Sequence, residues 1–143
     1  MTYRFINNKF TQEFTEYWSI VSQIKMCNFK LKEKQHELYG IKPINYSDCK
    51  GTSNKTLVDK IEAIDKLEEK KEALEELREK EYNKLLDKIN RIHSEKYRTV
   101  LIYKYLERIQ YKDIADLMEI SEDYVKHLRK KAVELYMTLN NIK

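Results

Sequence analysis

An all-α fold is the class this sequence predicts, and three features predict it. Helix breakers are nearly missing, with two Gly and one Pro in 143 residues. Charged residues reach 36%, most of them the helix-favouring Lys and Glu. Apolar residues recur at three- and four-residue steps over long stretches, the period of a helix that buries one face. Hydrophobic residues make up 41% of the chain, enough for a folded core. Eleven Tyr, four Phe and one Trp can fill that core and leave hydroxyls at its edge.

The first helix is expected over residues 10–39. Phe10, Phe14, Tyr17, Val21, Ile24, Leu31 and Leu38 follow one seam, which only Asn28 and Gln35 interrupt. At 1.5 Å per residue it would run about 45 Å. Gly40 and Pro43 close it, and residues 40–53 (GIKPINYSDCKGTS) read as the one clear loop. From Asn54 to about Ile92 nothing breaks a second helix. Its apolar patches are Leu57, Ile61, Ile64 and Leu67, then Leu74 and Leu77, then Tyr82, Leu85, Ile89 and Ile92. The all-polar EEKKE at 68–72 makes the heptad slip, so a strict long coiled coil is not supported. Residues 1–92 are therefore read as a coiled-coil-like helical hairpin with an oligomerising role. A packed hairpin without chemistry of its own outweighs a special partner groove here.

Beyond His93 the elements shorten. Ser94 is placed to cap a helix that has Glu95 in its first turn and Val100, Leu101, Tyr105 and Leu106 on its apolar face. A short helix, Tyr111–Met118, follows the ERIQ connector, and another opens at Ser121 and runs to about Leu139. Residues 93–143 are assigned as a helix-turn-helix domain. Ala115 is the small residue that two crossing helices need, Ile114 and Met118 face the core, and Ile120 is the apolar residue of the turn. Val125 and Leu128 seat the second helix, with Ala132 and Leu135 extending the stripe.

Seating those residues inward turns Glu122, Asp123, Lys126, His127 and Lys130 outward, toward a DNA major groove, with Ser121 at the helix start near a phosphate or base edge. Lys126 and Lys130 can donate to guanine or phosphate, and Glu122 or Asp123 can accept from a cytosine amine. Arg129 and Lys131 on the flanks, and Lys112 at the start of the preceding helix, suit backbone contacts. The two acids have a plainer role in complementing the helix dipole. His127 is equally well read as an ordinary exposed histidine, and Tyr103, Tyr105, Tyr111 and Tyr124 as core-edge residues rather than stacking platforms.

Charge distribution agrees with a DNA partner. Residues 1–53 carry 8 basic and 5 acidic residues, 54–90 carry 9 and 11, and 91–143 carry 11 and 8. The middle is a solvated acidic helix and the last third a modest basic surface. No Gly-rich phosphate loop, metal cluster or nucleophile elbow is present, and His36, His93 and His127 lie on different expected helices, so no enzyme and no cofactor is expected. Cys27 and Cys49 fit neither a zinc site nor a disulfide framework. No stretch approaches a membrane span and the N-terminus has no apolar leader core, so a reduced cytoplasm is the expected compartment, which is that of the bacterial host if the chain is phage-encoded.

The segment YRTVLIYKYLERIQYKDIADLMEISEDYVKHLRKKAVELY, from Tyr97 onward, resembles region 4 of the bacterial sigma-70 factors. It is similar, more closely, to the C-terminal part of small phage-encoded late-transcription activators of the ArpU, RinA and LtrC type. The YRTVL opening, the aromatic-x-x-IA of Tyr111–Ala115 and the S-x-x-x-V-x-x-L from Ser121 carry the likeness. It implies sequence-specific binding of duplex DNA and activation of phage late genes for packaging or morphogenesis, with host RNA polymerase as a further partner. No region-2-like segment is present, so the chain is not expected to melt a promoter. The family often has Gly where this chain has Arg108 and Glu119. A homodimer or higher oligomer is expected, since one short recognition helix binds weakly and paired half-sites restore affinity. A regulatory protein from a phage or mobile element is an alternative occupant of the oligomerising surface. Two other readings compete: a packaging protein resembling a terminase small subunit, and an interaction module that binds polymerase without touching DNA.

Overall fold

The computed structural model describes residues 3–39 and 54–142. The expected loop at 40–53, with Cys49, Gly40 and Pro43, lies outside the described residues. All regular structure among them is helical, in the order α1 (Tyr3–Tyr39), α2 (Asn54–Ile89), α3 (Glu95–Leu101), α4 (Tyr111–Met118) and α5 (Glu122–Leu139). The two long N-terminal helices pack together, and the three short ones form a C-terminal helical domain. The bounds of α4 are those the sequence predicts. α1 begins earlier than its apolar seam, because the breaker-free NNK segment before Phe10 simply continues the helix.

The chain divides into two compact units, Ser19–Arg78 and Met1–Trp18 with Glu79–Lys143. In the first, Ile20, Ile24, Cys27 and Leu74 form the core, with Leu31 and Ile64 also buried. Two expectations need correction here. Val21 and Leu38 are only half-buried, and Ile20 and Cys27 hold the seam instead. On α2, Leu57, Ile61 and Leu77 are 49%, 44% and 49% exposed, so the apolar patches of that helix are narrower than their spacing suggested.

The second unit holds the larger core, and α1 supplies part of it. Phe10 and Phe14, both fully buried, meet Tyr105 and Tyr136. The Phe10 ring stands edge-on to Tyr105 at 4.7 Å and to Tyr136 at 5.0 Å, the geometry that ring quadrupoles favour. Leu85, Ile89 and Ile92 close the same core from the end of α2. Polar contacts fix the register. Lys88 Nζ pairs with Glu13 Oε1 at 2.8 Å, and Tyr136 Oη donates to that same oxygen at 3.4 Å. Asn140 Nδ2 donates to the Lys88 and Tyr136 carbonyls, and its Oδ1 accepts from Arg91.

Burial, and then the charge and hydrogen bond of Glu13, push the Tyr136 phenol well above its ordinary value of 10.0. The neutral phenol therefore contributes stability that is complete below pH 10 and is lost as the pH rises toward the folded value, because the unfolded chain ionises first. Tyr136→Phe is expected to flatten this alkaline fall in unfolding free energy, as followed by urea melts between pH 9 and 12.

Candidate nucleic-acid interface

The helix-turn-helix is α4, a turn and α5. Its inner side is a cluster of Ile114, Ala115 and Val125, ringed by Tyr103, Ile109, Tyr111, Met118 and Ile120. Ala115 is 7% exposed and Val125 and Ile114 fully buried, so the small crossing residue and the anchor of the second helix meet as the sequence requires. Leu128 and Ala132 continue the buried stripe of α5. Leu135 does not: it is 37% exposed, and Val133, Tyr136 and Met137 take its place. Beyond Ala132 the helix also meets α1, where Tyr136 packs on Phe10 and Phe14, and this turns a different arc of its surface inward.

The tight turn is built by backbone. α4 ends at Met118 and Glu119 takes the left-handed conformation, φ 57° and ψ 43°. Ile120 N then bonds to the Ala115 carbonyl at 3.0 Å and Glu119 N to that of Asp116 at 3.3 Å, a Schellman closure whose apolar contact is Ile120 on Ala115. A left-handed non-glycine residue costs about 1 kcal/mol. Glu119→Gly is expected to raise the unfolding free energy by about 0.5–1 kcal/mol in urea melts. Arg108 is also left-handed, at φ 56°, yet its guanidinium lies 4.8 Å over the Trp18 ring, so glycine there would forfeit a cation–π contact as it relieves the backbone.

The helix before the motif is irregular. α3 continues past Leu101 as a π turn over Ile102–Leu106, which the apolar periodicity alone could not reveal. Trp18 Nε1 donates to the Tyr105 carbonyl in that turn at 2.6 Å. Ser94 sits at the N-cap of α3 but its side chain makes no capping bond, contrary to expectation. Arg98 instead secures this end, donating from Nη1 to the carbonyls of Ile92 and His93.

The sequence-derived contact residues separate into distinct situations. Ser121 Oγ accepts from Tyr124 N at 3.2 Å, so this side chain caps α5. Glu122 and Asp123 stand exposed in the first turn of α5, where they complement its dipole. Lys126, His127, Lys130 and Lys131 are exposed on α5, and Lys112 is exposed on α4. Arg129 is half-buried: its Nη1 donates to Tyr105 Oη at 2.9 Å and its guanidinium lies 5.8 Å from the Tyr111 ring. That side chain helps to hold α5 on the π turn.

Three features went unnoticed in the sequence. The Lys104 ammonium lies 4.1 Å from the centre of the Tyr111 ring, and that of Lys126 lies 5.6 Å from it. Burial, then the neighbouring charges of Arg129 and Arg108, hold Lys104 below its ordinary value. Tyr124, expected at the edge of the core, is 39% exposed and stacks on His127. Lys104 and Arg108 fall outside the two motif helices, where a helical wheel of α5 gives them no place.

A family model described as Sigma-70, region 4 matches residues 94–135, from the N-cap of α3 to Leu135 in α5. No curated protein and no solved structure matches the chain. The C-terminal helices are thus a sigma-70 region 4-like helix-turn-helix, a DNA-binding and transcription-related regulatory module. Domains of this class bind DNA and RNA polymerase. No helix among the described residues is long and apolar enough to cross a membrane.

Proposed function

We propose that the protein is a sequence-specific transcription regulator that lays α5 in the major groove of duplex DNA. The observation that carries this reading is the division of α5 into two sides. Val125, Leu128 and Ala132 are locked inward, while Lys126, His127 and Lys130 remain solvent-exposed along the opposite surface. Lys126 and Lys130 supply phosphate or guanine contacts, Asp123 and Glu122 border them, and Lys112 and Lys131 contact the backbone on either flank. Ser121 acts through the cap, and Arg129 by steadying α5.

The protein acts as a homodimer or higher oligomer in the bacterial cytoplasm, reading paired half-sites, and activates phage late genes with host RNA polymerase as a partner. The resemblance of residues 97–136 to late-transcription activators, read from the sequence alone, motivates the activation of late genes, and the weak binding of one short recognition helix motivates the oligomer. It is a regulator and not an enzyme.

The test is a titration of a selected duplex at several salt concentrations with wild type and with Lys126→Ala/Lys130→Ala. The double variant is expected to lose about 1 kcal/mol per lysine, roughly thirtyfold in total, and about two units of salt slope. Unchanged affinity and slope would sink the proposal and favour a surface that binds polymerase without DNA.

A further inference from the structure

We propose that Tyr124 and His127 form one pre-stacked aromatic pair that reads a thymine methyl group in the major groove; this rests on the DNA-binding reading above. The two residues lie three apart on α5, and their rings stack with centroids 6.4 Å apart and planes 18° from parallel. Both are exposed.

The exposure of Tyr124 stands out against the other aromatic residues of its unit. Phe10, Phe14 and Tyr136 are fully buried and Tyr105 is 6% exposed, whereas Tyr124 is at 39%. Tyr103 and Tyr111 are half-buried against the Ile114–Ala115–Val125 cluster, whereas Tyr124 is exposed. Much of this ring therefore faces solvent. Its backbone is fixed by the Ser121 cap, and its side chain is restrained by the stack on His127.

These restraints suit a recognition element. Ordering a free side chain at an interface costs about 0.5–1.5 kcal/mol, and a side chain already held in place is spared part of that cost. The pair sits in the first two turns of α5, the part of a recognition helix that reaches base edges. The C5 methyl of thymine is the apolar group that a major groove presents there, so it is the natural target of an aromatic edge. On the neighbouring arc of α5, Asp123 and Lys130 offer the polar contacts that such a ring does not.

Replacing thymine by uracil deletes only that methyl group, which makes it a clean probe. A duplex enriched by wild type from a random pool is remade with uracil at each thymine in turn. Wild type is expected to lose about fourfold in affinity at one position, the worth of one buried methyl group. Tyr124→Ala should bind the thymine duplex about as weakly as wild type binds the uracil one, and show no further loss on uracil. Tyr124→Phe, which keeps the stack, and Lys130→Ala should both retain the discrimination. Thermal melts of each variant separate these effects from unfolding. The pairing is overturned if no uracil substitution weakens wild type, or if Tyr124→Ala still discriminates as wild type does. Failure of wild type to enrich any duplex would instead remove the DNA-binding reading itself.

Discussion

Phe14→Ala should destabilise the protein by about 3–5 kcal/mol, although Phe14 lies far outside residues 94–135. The side chain is fully buried against Phe10, Tyr105 and Tyr136. Its loss leaves a cavity between α1, the π turn and α5, and a small unit has only about 5–15 kcal/mol to spare. DNA binding is expected to fall with the folded fraction, and cooling or a stabilising osmolyte should restore it. Urea denaturation followed by circular dichroism measures the first effect, and binding at two temperatures the second. A loss below about 1 kcal/mol would mean that α1 does not belong to the core that holds α5. The same reasoning makes residues 93–143 alone an unstable fragment, since Phe10, Phe14, Leu85 and Ile89 would be missing from its core.

Val125→Asp addresses the crossing of the two motif helices directly. Val125 is fully buried beside Ile114 and Ala115, and a carboxylate there must either ionise without a partner or take up a proton. A cost of at least about 3 kcal/mol follows, with loss of the α4–α5 arrangement and of duplex binding. Leu117→Asp makes the same chemical change at a position on α4 that is 59% exposed, and should alter stability by less than about 0.5 kcal/mol. Equal effects of the two substitutions would contradict the orientation assigned to these helices.

Much of this architecture was legible because short helices carry dense local signals. Ser121, Ile120 and Ala115 fix a cap, a turn and a crossing within seven residues, so the bounds of α4 and the start of α5 followed from the sequence. The left-handed backbone at Arg108 and Glu119 is not announced by either residue type, and only the folded chain shows it. The long helices were harder. A seam with apolar residues at both Ile20 and Val21 fits two rotations about the helix axis, and only packing decides that Ile20 is buried. Nothing in the spacing of Phe10 and Phe14 distinguishes a partner on α2 from rings supplied by Tyr105 and Tyr136. The π turn escaped notice for the same reason, since its extra residue is stabilised by Trp18, 87 positions away. At the interface, charge and helical phase placed Lys126, His127 and Lys130 outside, but the inward draw of Arg129 depends on the Tyr105 hydroxyl, a contact between elements.

Selection of duplexes from a random-sequence pool tests the DNA-reading role of α5 most directly. With the full chain at physiological salt, the outward face of α5 predicts enrichment of a short motif within a few rounds, and loss of that enrichment in Lys126→Ala/Lys130→Ala. A pool that stays random with folded wild-type protein, or one that yields the same motif with the double variant, would contradict it.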